Sequence, residues 1–278
     1  MSLLRTRSVP ATIAVAALVT AAATALSGTP AAAAPPANCA AFTVSGNPRT
    51  ATGATWTYQS TDLGVRYALE GVLFIPSGTG PFPAVVVSHG KGGTPRGYSA
   101  TIARTMVTWG LVAIGPMYTH APDAEDAGNA PDGADGASTA NVQRAHKARD
   151  LLTCVAGADL TRVAAHGHSM GAFVTGQLLG TYPVDFRAAS HTAGGVSSGP
   201  NATKPAAAQQ IRTPYQLHHG DADQVVPLAL DQTLDGILAG NGVPHVLHVY
   251  AGYDHQRMAF DATMLARVRT WYQTHGVL

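Results

Sequence analysis

Charge is scarce in this sequence, and neither sign is in excess. The 278 residues include 17 Lys and Arg against 16 Asp and Glu, which gives a net charge of +1 and a charged fraction of only 12%. The chain therefore lacks the basic footprint of a nucleic-acid-binding protein. Because 46% of its residues are apolar, it also lacks the composition of a disordered protein, and we expect it to fold.

Runs apolar enough to suggest a membrane span are absent beyond the N-terminal segment. There, Arg5 and Arg7 precede an apolar run over residues 11–26, and small residues follow at 31–34. This is the order of a secretory signal peptide, so we predict that residues 1–34 are removed. A membrane anchor is the alternative, but alanine contributes little to insertion, and Gly and Pro residues follow the run.

Only two cysteines are present, Cys39 and Cys154. Both lie in the predicted mature chain, residues 35–278, which we expect to be a secreted, monomeric single domain without membrane association. Export would place the thiols where cysteines oxidise, so the two are candidates for a disulfide. The alternative for Cys154 is an inert buried thiol on a helix. Neither has the neighbours of a catalytic thiolate or a metal-binding pair.

The spacing of apolar residues predicts strands that alternate with helices. The predicted strands are 55–60, 69–75, 84–88, 111–114, 162–166, 215–218 and 245–250, and the predicted helices are 98–109, 139–155, 170–182, 228–239 and 260–275. The run 84–88 is typical of a strand buried on both faces of a parallel sheet. The alternation predicts a single-domain α/β fold, with a mostly parallel, doubly wound sheet, helices on both faces and no large cap domain.

Two stretches do not fit this alternation. Residues 116–138 contain five carboxylates among Gly, Ala and Pro, and are predicted to form a surface loop. A calcium site is the alternative, although the spacing does not match an EF-hand loop. Residues 193–209 are rich in small residues and too few for a cap domain.

The strongest chemical signal is the pentapeptide Gly167-His168-Ser169-Met170-Gly171, between a predicted strand and a predicted helix. A G-x-S-x-G sequence in that context predicts a nucleophile elbow, in which a strained turn presents the serine and flanking glycines let strand and helix pass closely. A glycine-rich turn without catalytic function is the alternative. A serine nucleophile needs an imidazole as base and a carboxylate to orient it.

Candidates for the base and the acid follow later predicted strands. Asp221 and Asp223 come after 215–218, and His255 comes after 245–250. Each lies beyond the carboxyl end of a parallel strand, where open α/β sheets place their sites. The order Ser, Asp, His matches the hydrolase arrangement.

With these residues the chain resembles the α/β-hydrolase superfamily, and within it secreted serine esterases similar to dienelactone hydrolases and cutinases. The resemblance covers nearly all of the predicted mature chain. The acid of such proteins lies in a D-x-x-x-P turn, which selects Asp223 over Asp221 because Pro227 follows it by four positions. The resemblance implies His255 as the base in the loop after the last strand.

An oxyanion hole needs two donors aimed at the developing negative charge. One is expected to be the backbone amide of Met170, directly after the nucleophile. The resemblance implies the amide of Lys91 as the second, in the loop Ser88-His89-Gly90-Lys91-Gly92-Gly93. A phosphate-binding loop is excluded there, because the Ser or Thr after the lysine and the upstream glycine are missing.

The sequence departs from these relatives where they bind substrate. Dienelactone hydrolases use a cysteine nucleophile rather than a serine, and polyester-degrading cutinases carry an aromatic residue at the position of Lys91 and a tryptophan after the next strand. Neither aromatic is present here. His168 and Tyr118 are the predicted residues of the cleft wall, and a polymeric substrate is an expectation that the sequence does not decide.

The sequence thus predicts a carboxylic-ester hydrolase that acts on a small or polymeric ester and needs no metal or organic cofactor. Three alternatives stay open: a peptidase or amidase with the same triad, a non-catalytic extracellular binding protein on this scaffold, and a metal-dependent enzyme using His166 and His168. The metal reading lacks a nearby carboxylate to complete the ligand set.

Overall fold

The computed structural model describes residues 37–62, 64–122 and 135–278. The predicted signal peptide and most of the predicted acidic loop lie outside these residues. Within them, one sheet of nine strands is formed by β1 (Phe42–Ser45), β2 (Ala54–Asp62), β3 (Val65–Phe74), β4 (Phe82–Ser88), β5 (Val112–Pro116), β6 (Ala158–His168), β7 (Ala188–Thr192), β8 (Tyr215–Gly220) and β9 (His245–Tyr250).

The described part of the chain also contains seven α-helices, five of them between strands and two after β9. They are α1 (Ala100–Thr108), α2 (Thr139–Leu151), α3 (Met170–Thr181), α4 (Pro205–Ala208), α5 (Leu228–Gly240), α6 (His255–Met258) and α7 (Ala262–Thr274). A π-helical turn, Pro95–Ser99, leads into α1, and a 3-10 turn, Leu152–Cys154, follows α2. No helix of the described part of the chain is both long and apolar enough to cross a membrane.

The strand order is β1-β2-β3-β5-β4-β6-β7-β8-β9. The pairs β1–β2, β2–β3 and β3–β5 are antiparallel. The pairs β4–β5, β4–β6, β6–β7, β7–β8 and β8–β9 are parallel. The predicted mostly parallel α/β sheet is confirmed. The strand order reverses at β4, so the carboxyl ends of β4 and β6 flank the crevice where such sheets bind ligands.

Strand β4 separates two apolar cores. Ala84 and Val86 belong to the core that also contains residues of α2, α3 and α5, while Val85 and Val87 belong to the core with α1 and α7. Successive side chains of a strand point to opposite faces, so this unbroken apolar run fills both layers. The predicted helices on both faces are therefore present.

Two strands were not predicted. Strand β7, Ala-Ala-Ser-His-Thr, is buried throughout but has only one β-branched residue, so its sequence does not show strand preference. Strand β1 is a short edge strand that is mostly exposed. Residues 193–209, which were predicted to lack regular structure, do so for the most part, but they contain the single helical turn α4.

Several predicted helix boundaries were wrong by a few residues. The helix predicted over 260–275 starts at Ala262, because the Asp261 side chain caps it by accepting a hydrogen bond from the amide of Met264. Phe260 therefore lies outside the helix. The helix predicted over 139–155 ends at Leu151 and tightens into the 3-10 turn.

Cys39 and Cys154 form a disulfide between residues that are 115 positions apart in the chain. It joins the turn before β1 to the 3-10 turn after α2. A cross-link that closes so long a loop restricts the unfolded chain more than the folded one. The predicted pairing is therefore present in the structure, and it ties the edge strand β1 to the body of the domain.

We predict that replacing both cysteines, Cys39→Ser with Cys154→Ser, lowers the free energy of unfolding by about 2–5 kcal/mol. Urea denaturation followed by circular dichroism measures this loss. The wild-type protein in reductant is the matched control and should approach the double variant. An unchanged midpoint in both would contradict a stabilising cross-link.

Candidate active site

Ser169 lies at the turn between β6 and α3, in a conformation that side-chain-bearing residues rarely adopt. Its backbone angles are φ 55° and ψ −120°, and a positive φ is uncommon outside glycine. The strained turn that the G-x-S-x-G sequence predicts is thus present. Such strain persists only where the surrounding structure enforces it.

The two flanking glycines show what enforces the turn. A Cβ atom on Gly167 would lie 2.3 Å from the carbonyl oxygen of Gly171, and one on Gly171 would lie 2.2 Å from the carbonyl oxygen of Ser88. These distances are far below contact, so any side chain at either position would force strand and helix apart. Ser169 is therefore held against the end of β4.

The structure brings Ser169, His255 and Asp223 together, although they come from three separate segments. The Ser169 hydroxyl donates to Nε2 of His255, with 2.9 Å between the heavy atoms. The Nδ1–H group of His255 donates to Oδ2 of Asp223 at 2.7 Å. This tautomer leaves Nε2 free to accept the serine proton, which is the arrangement that nucleophilic catalysis requires.

The geometry distinguishes the two candidate aspartates. The Asp223 side chain is fully buried, and its Oδ1 accepts hydrogen bonds from the amides of Val225 and Val226 at 2.8 and 2.9 Å. Asp221 is exposed and accepts from the amide of Gly252 instead. Burial raises the pKa of Asp223, but the hydrogen bonds from His255 and the two amides outweigh burial and hold this pKa below its ordinary value. Asp223 is thus ionised at neutral pH.

His168 lies in the site beside His255, and its predicted role as a wall of the substrate cleft stays a prediction. Its ring centroid is 4.7 Å from that of His255, and its Nδ1 is hydrogen-bonded to the Thr192 hydroxyl at 2.8 Å. Burial, with a further contribution from the nearby His255 ring, lowers the pKa of His168 to about 3. His168 is therefore a neutral group beside His255.

Tyr118 does not line the cleft, so that prediction was wrong. The side chain is fully buried behind the loop that follows β4, where its hydroxyl is 2.8 Å from the Ser88 hydroxyl. Its ring packs against His89 and His120. The aromatic character of Tyr118 fills the interior and supports this loop instead of contacting substrate.

The loop after β4 lies directly against the serine. A Cβ atom on Gly90 would come within 3.0 Å of the Ser169 Cβ. The Lys91 amide donates to no carbonyl of the described residues, and the Lys91 side chain points outward, 66% exposed and 3.4 Å from Asp135. Met170 is the first residue of α3, where an amide has no partner within its helix. Both amides are available, and their role as oxyanion donors stays a prediction.

A cleft of about 500 Å³ opens above Ser169. Phe260 and Tyr98 form an aromatic side of it, with 5.4 Å between their ring centroids, and the Tyr98 ring stacks on His168 at 5.6 Å. Sequence reasoning missed both residues. Phe260 falls in the helix predicted over 260–275, and the only signal that it precedes the helix is the capping residue Asp261 directly after it.

A larger groove of about 620 Å³ lies at the opposite end of β7 and β8, near Arg187 and Arg212. None of the predicted site residues lines it. In the described part of the chain no group of three or more His, Cys, Asp or Glu side chains is placed to hold a metal ion. His166 makes hydrogen bonds through both ring nitrogens, to Ser190 and Tyr98, so it does not form a ligand pair with His168.

The close passage of α3 and β4 makes a direct prediction. Replacing Gly171 by alanine should lower the free energy of unfolding by about 1–3 kcal/mol or more, because the new methyl group meets a backbone oxygen that cannot move aside. Urea denaturation measures the change.

The matched control is Gly236→Ala, on α5, where an added Cβ meets nothing within 4 Å. Alanine is a better helix former than glycine, so this variant should gain up to about 1 kcal/mol. Equal effects of the two substitutions would show that the close approach at Gly171 does not exist.

The model of the dienelactone hydrolase family matches residues 69–268, well over half of the chain. A search of the curated proteins gave no match. Among solved structures, an S-formylglutathione hydrolase from Agrobacterium tumefaciens superposes with a TM-score of 0.61 at 15% identity, covering 84% of this chain and 99% of the other.

Two esterases superpose similarly. Esterase 2 of Thermogutta terrifontis, phosphoramylated by tabun, has a TM-score of 0.60 at 17% identity, covering 79% of this chain and 93% of the other. A cold-adapted esterase from an Arctic intertidal metagenomic library has a TM-score of 0.61 at 19% identity, covering 82% and 96%. These likenesses show a shared fold. From the family match, the chain belongs to the dienelactone hydrolase family.

Proposed function

We propose that this protein hydrolyses carboxylic esters through an acyl-enzyme intermediate, with Ser169 as nucleophile, His255 as general base and acid, and Asp223 as the group that orients His255. The observation that supports this most is the unbroken hydrogen-bond chain from the Ser169 hydroxyl through His255 to a buried carboxylate. That chain lies at the floor of an open cleft.

In the first half of the reaction, His255 Nε2 takes the hydroxyl proton as Ser169 Oγ attacks the ester carbonyl carbon. The negative charge moves to the carbonyl oxygen, where the amides of Met170 and Lys91 stabilise it. The carbon–oxygen bond to the alcohol then breaks, and His255 returns the proton to the leaving alcohol. In the second half, His255 activates water, which releases the acid and restores Ser169.

The aromatic side of the cleft supports an apolar group next to the ester. Phe260 is 48% exposed at the cleft, which leaves a free ring face for an acyl or alcohol chain. The tryptophan and the aromatic residue of cutinases are missing, but Phe260 and Tyr98 provide an aromatic surface from other positions. We include polyesters among the proposed substrates on this basis, since the cleft is open to solvent.

We also infer that the protein is exported. The N-terminal sequence has the order of a signal peptide, and the Cys39–Cys154 disulfide fits an oxidising compartment outside the cytosol.

Replacing the nucleophile tests the proposed reaction. Ser169→Ala should reduce kcat/KM for a p-nitrophenyl butyrate by about 10⁴- to 10⁶-fold, with an unchanged circular dichroism spectrum. Ser198→Ala, at an exposed serine, is the matched control and should keep full activity.

The same pair of variants separates the alternatives. A fluorophosphonate should label the wild-type protein and Ser198→Ala but not Ser169→Ala, in keeping with the organophosphorus modification of the Thermogutta esterase. Failure to label folded wild-type protein would favour a binding protein. Faster cleavage of a p-nitroanilide than of the matching ester would favour an amidase.

The aromatic side of the cleft makes a separate prediction. Phe260→Ala should raise KM for a p-nitrophenyl octanoate by about 3- to 10-fold, the size of a lost aromatic contact, and leave kcat/KM for the acetate nearly unchanged. Val184→Ala, at a residue that is 87% exposed away from the cleft, is the control. An equal effect on both esters would mean that Phe260 does not contact the chain.

A further inference from the structure

Behind the proposed triad lies a second set of buried titratable side chains that the reaction above does not use. His219 lies near the carboxyl end of β8, Asp231 lies on α5, and His191 lies on β7; all three side chains are fully buried. Asp231 Oδ2 is 2.6 Å from His219 Nδ1, and Asp231 Oδ1 is 2.7 Å from His191 Nε2. They form a continuous row, His191-Asp231-His219.

The hydrogen-bond partners fix the protons of His191. Nδ1 of His191 is 2.6 Å from the Tyr215 hydroxyl, which has no other hydrogen-bond partner among the described residues. The hydroxyl therefore donates to Nδ1, because a buried O–H group without an acceptor is costly. His191 then donates from Nε2 to Asp231.

His219 has acceptors at both ring nitrogens. Nδ1 faces the Asp231 carboxylate, and Nε2 lies 2.9 Å from the carbonyl oxygen of Val226. A neutral imidazole has only one N–H group, whereas the charged imidazolium has two. With Asp231 ionised, both contacts are hydrogen bonds only if His219 is an imidazolium.

Electrostatics agrees with this proton count. Burial raises the pKa of Asp231, yet the hydrogen bonds from His191 and His219, together with the charge of His219, hold it well below its ordinary value. Burial lowers the pKa of His219, but the hydrogen bond and charge of Asp231 outweigh burial and raise it. The groups that face His219 are Asp231 from α5 and Asp223 from the loop after β8; beyond these carboxylates lie His191 of β7 and His255 of α6.

The row reaches the proposed triad through Asp223. Nε2 of His219 lies 3.5 Å from Oδ2 of Asp223, the same oxygen that accepts the hydrogen bond from His255 at 2.7 Å. Two imidazole rings therefore face one carboxylate oxygen. One ring exchanges a proton during the proposed reaction, and the other is buried with its charge balanced by Asp231.

We propose that His219 is a positioning residue, a buried imidazolium kept charged by Asp231, which holds the Asp223 carboxylate from its interior side and sets the pH range in which His255 works as a base. The proposal rests on the proposed function. The positive charge of His219 disfavours a second positive charge on the other side of Asp223. Neutral His255, the form that accepts the Ser169 proton, therefore persists to lower pH than it would without this charge.

The test measures the rate at which a fluorophosphonate labels Ser169 between about pH 5 and pH 9, in wild type, His219→Gln, Asp231→Asn and Asp235→Asn. The acid limb is the part of the rate profile where labelling slows as the pH falls. In His219→Gln this limb should move to higher pH by about one unit. At pH values below the limb, labelling should therefore become about tenfold slower relative to the maximal rate at higher pH. Asp231→Asn should move the limb in the same direction by less, because it removes a negative charge and also lets His219 lose its positive one.

Asp235→Asn is the matched control. Asp235 lies one turn after Asp231 on α5 and faces a different histidine, His245, at 3.5 Å near the surface. Its acid limb should coincide with that of wild type. A limb at the same pH in all four proteins, with only a uniform loss of rate in His219→Gln, would reduce His219 to structural support and overturn the proposal.

Labelling also separates this proposal from the proposed function. Wild-type protein that is never labelled contradicts the nucleophile itself, and the inference fails with it. If wild type is labelled but the acid limb of His219→Gln coincides with that of wild type, only the role of His219 is contradicted.

A second measurement does not require the variants to fold. In wild-type protein labelled with ¹⁵N at histidine, one imidazole should keep protons on both ring nitrogens at about pH 8, well above the ordinary histidine pKa of ~6.5. If no imidazole has both ring nitrogens protonated at that pH, His219 is neutral and the proposal is wrong.

Discussion

The close contact between the β6–α3 turn and the end of β4 is the constraint on which the site depends. Gly171 lies so near the Ser88 carbonyl that no side chain fits, and this contact holds Ser169 at a positive φ with its hydroxyl toward His255. The same contact puts the loop after β4, which includes the Lys91 amide, beside the serine. Backbone packing thus determines the position of Ser169, the proposed nucleophile, and the side chains of other strand ends are placed around it.

The parts of this arrangement that depend on local sequence could be predicted. Strand β4 has an unbroken apolar run, and the pentapeptide around Ser169 lies between a strand and a helix. The choice of Asp223 over Asp221 came from the resemblance to α/β-hydrolases, in which a proline follows the acid as Pro227 does. The parts that depend on tertiary contacts could not. Strand β7 is formed by small and polar residues that become a strand only because β6 and β8 pair with it on both sides.

Tyr118 is a second case in which tertiary contacts decide the position of a residue and local sequence does not. It was predicted to line the cleft wall, but hydroxyl and ring contacts with Ser88, His89 and His120 bury it. Asp231 was overlooked because it looks like one polar residue in an amphipathic helix. Only the fold shows that it points inward, between two histidines from neighbouring strands.

The interior of this protein contains several uncharged imidazoles. Burial lowers the pKa of His89, His166 and His168 to about 3, whereas an unfolded chain would bind protons at these rings near pH 6.5. Their contribution to folding is present above that pH and declines as the pH falls toward 3, while His219, with its raised pKa, has the opposite dependence. Each ester bond cleaved releases an acid. Without a buffer, the proposed ester hydrolysis would therefore lower the pH and with it the folding stability of the enzyme. Sustained activity would then depend on how quickly the acid product is neutralised or diffuses away.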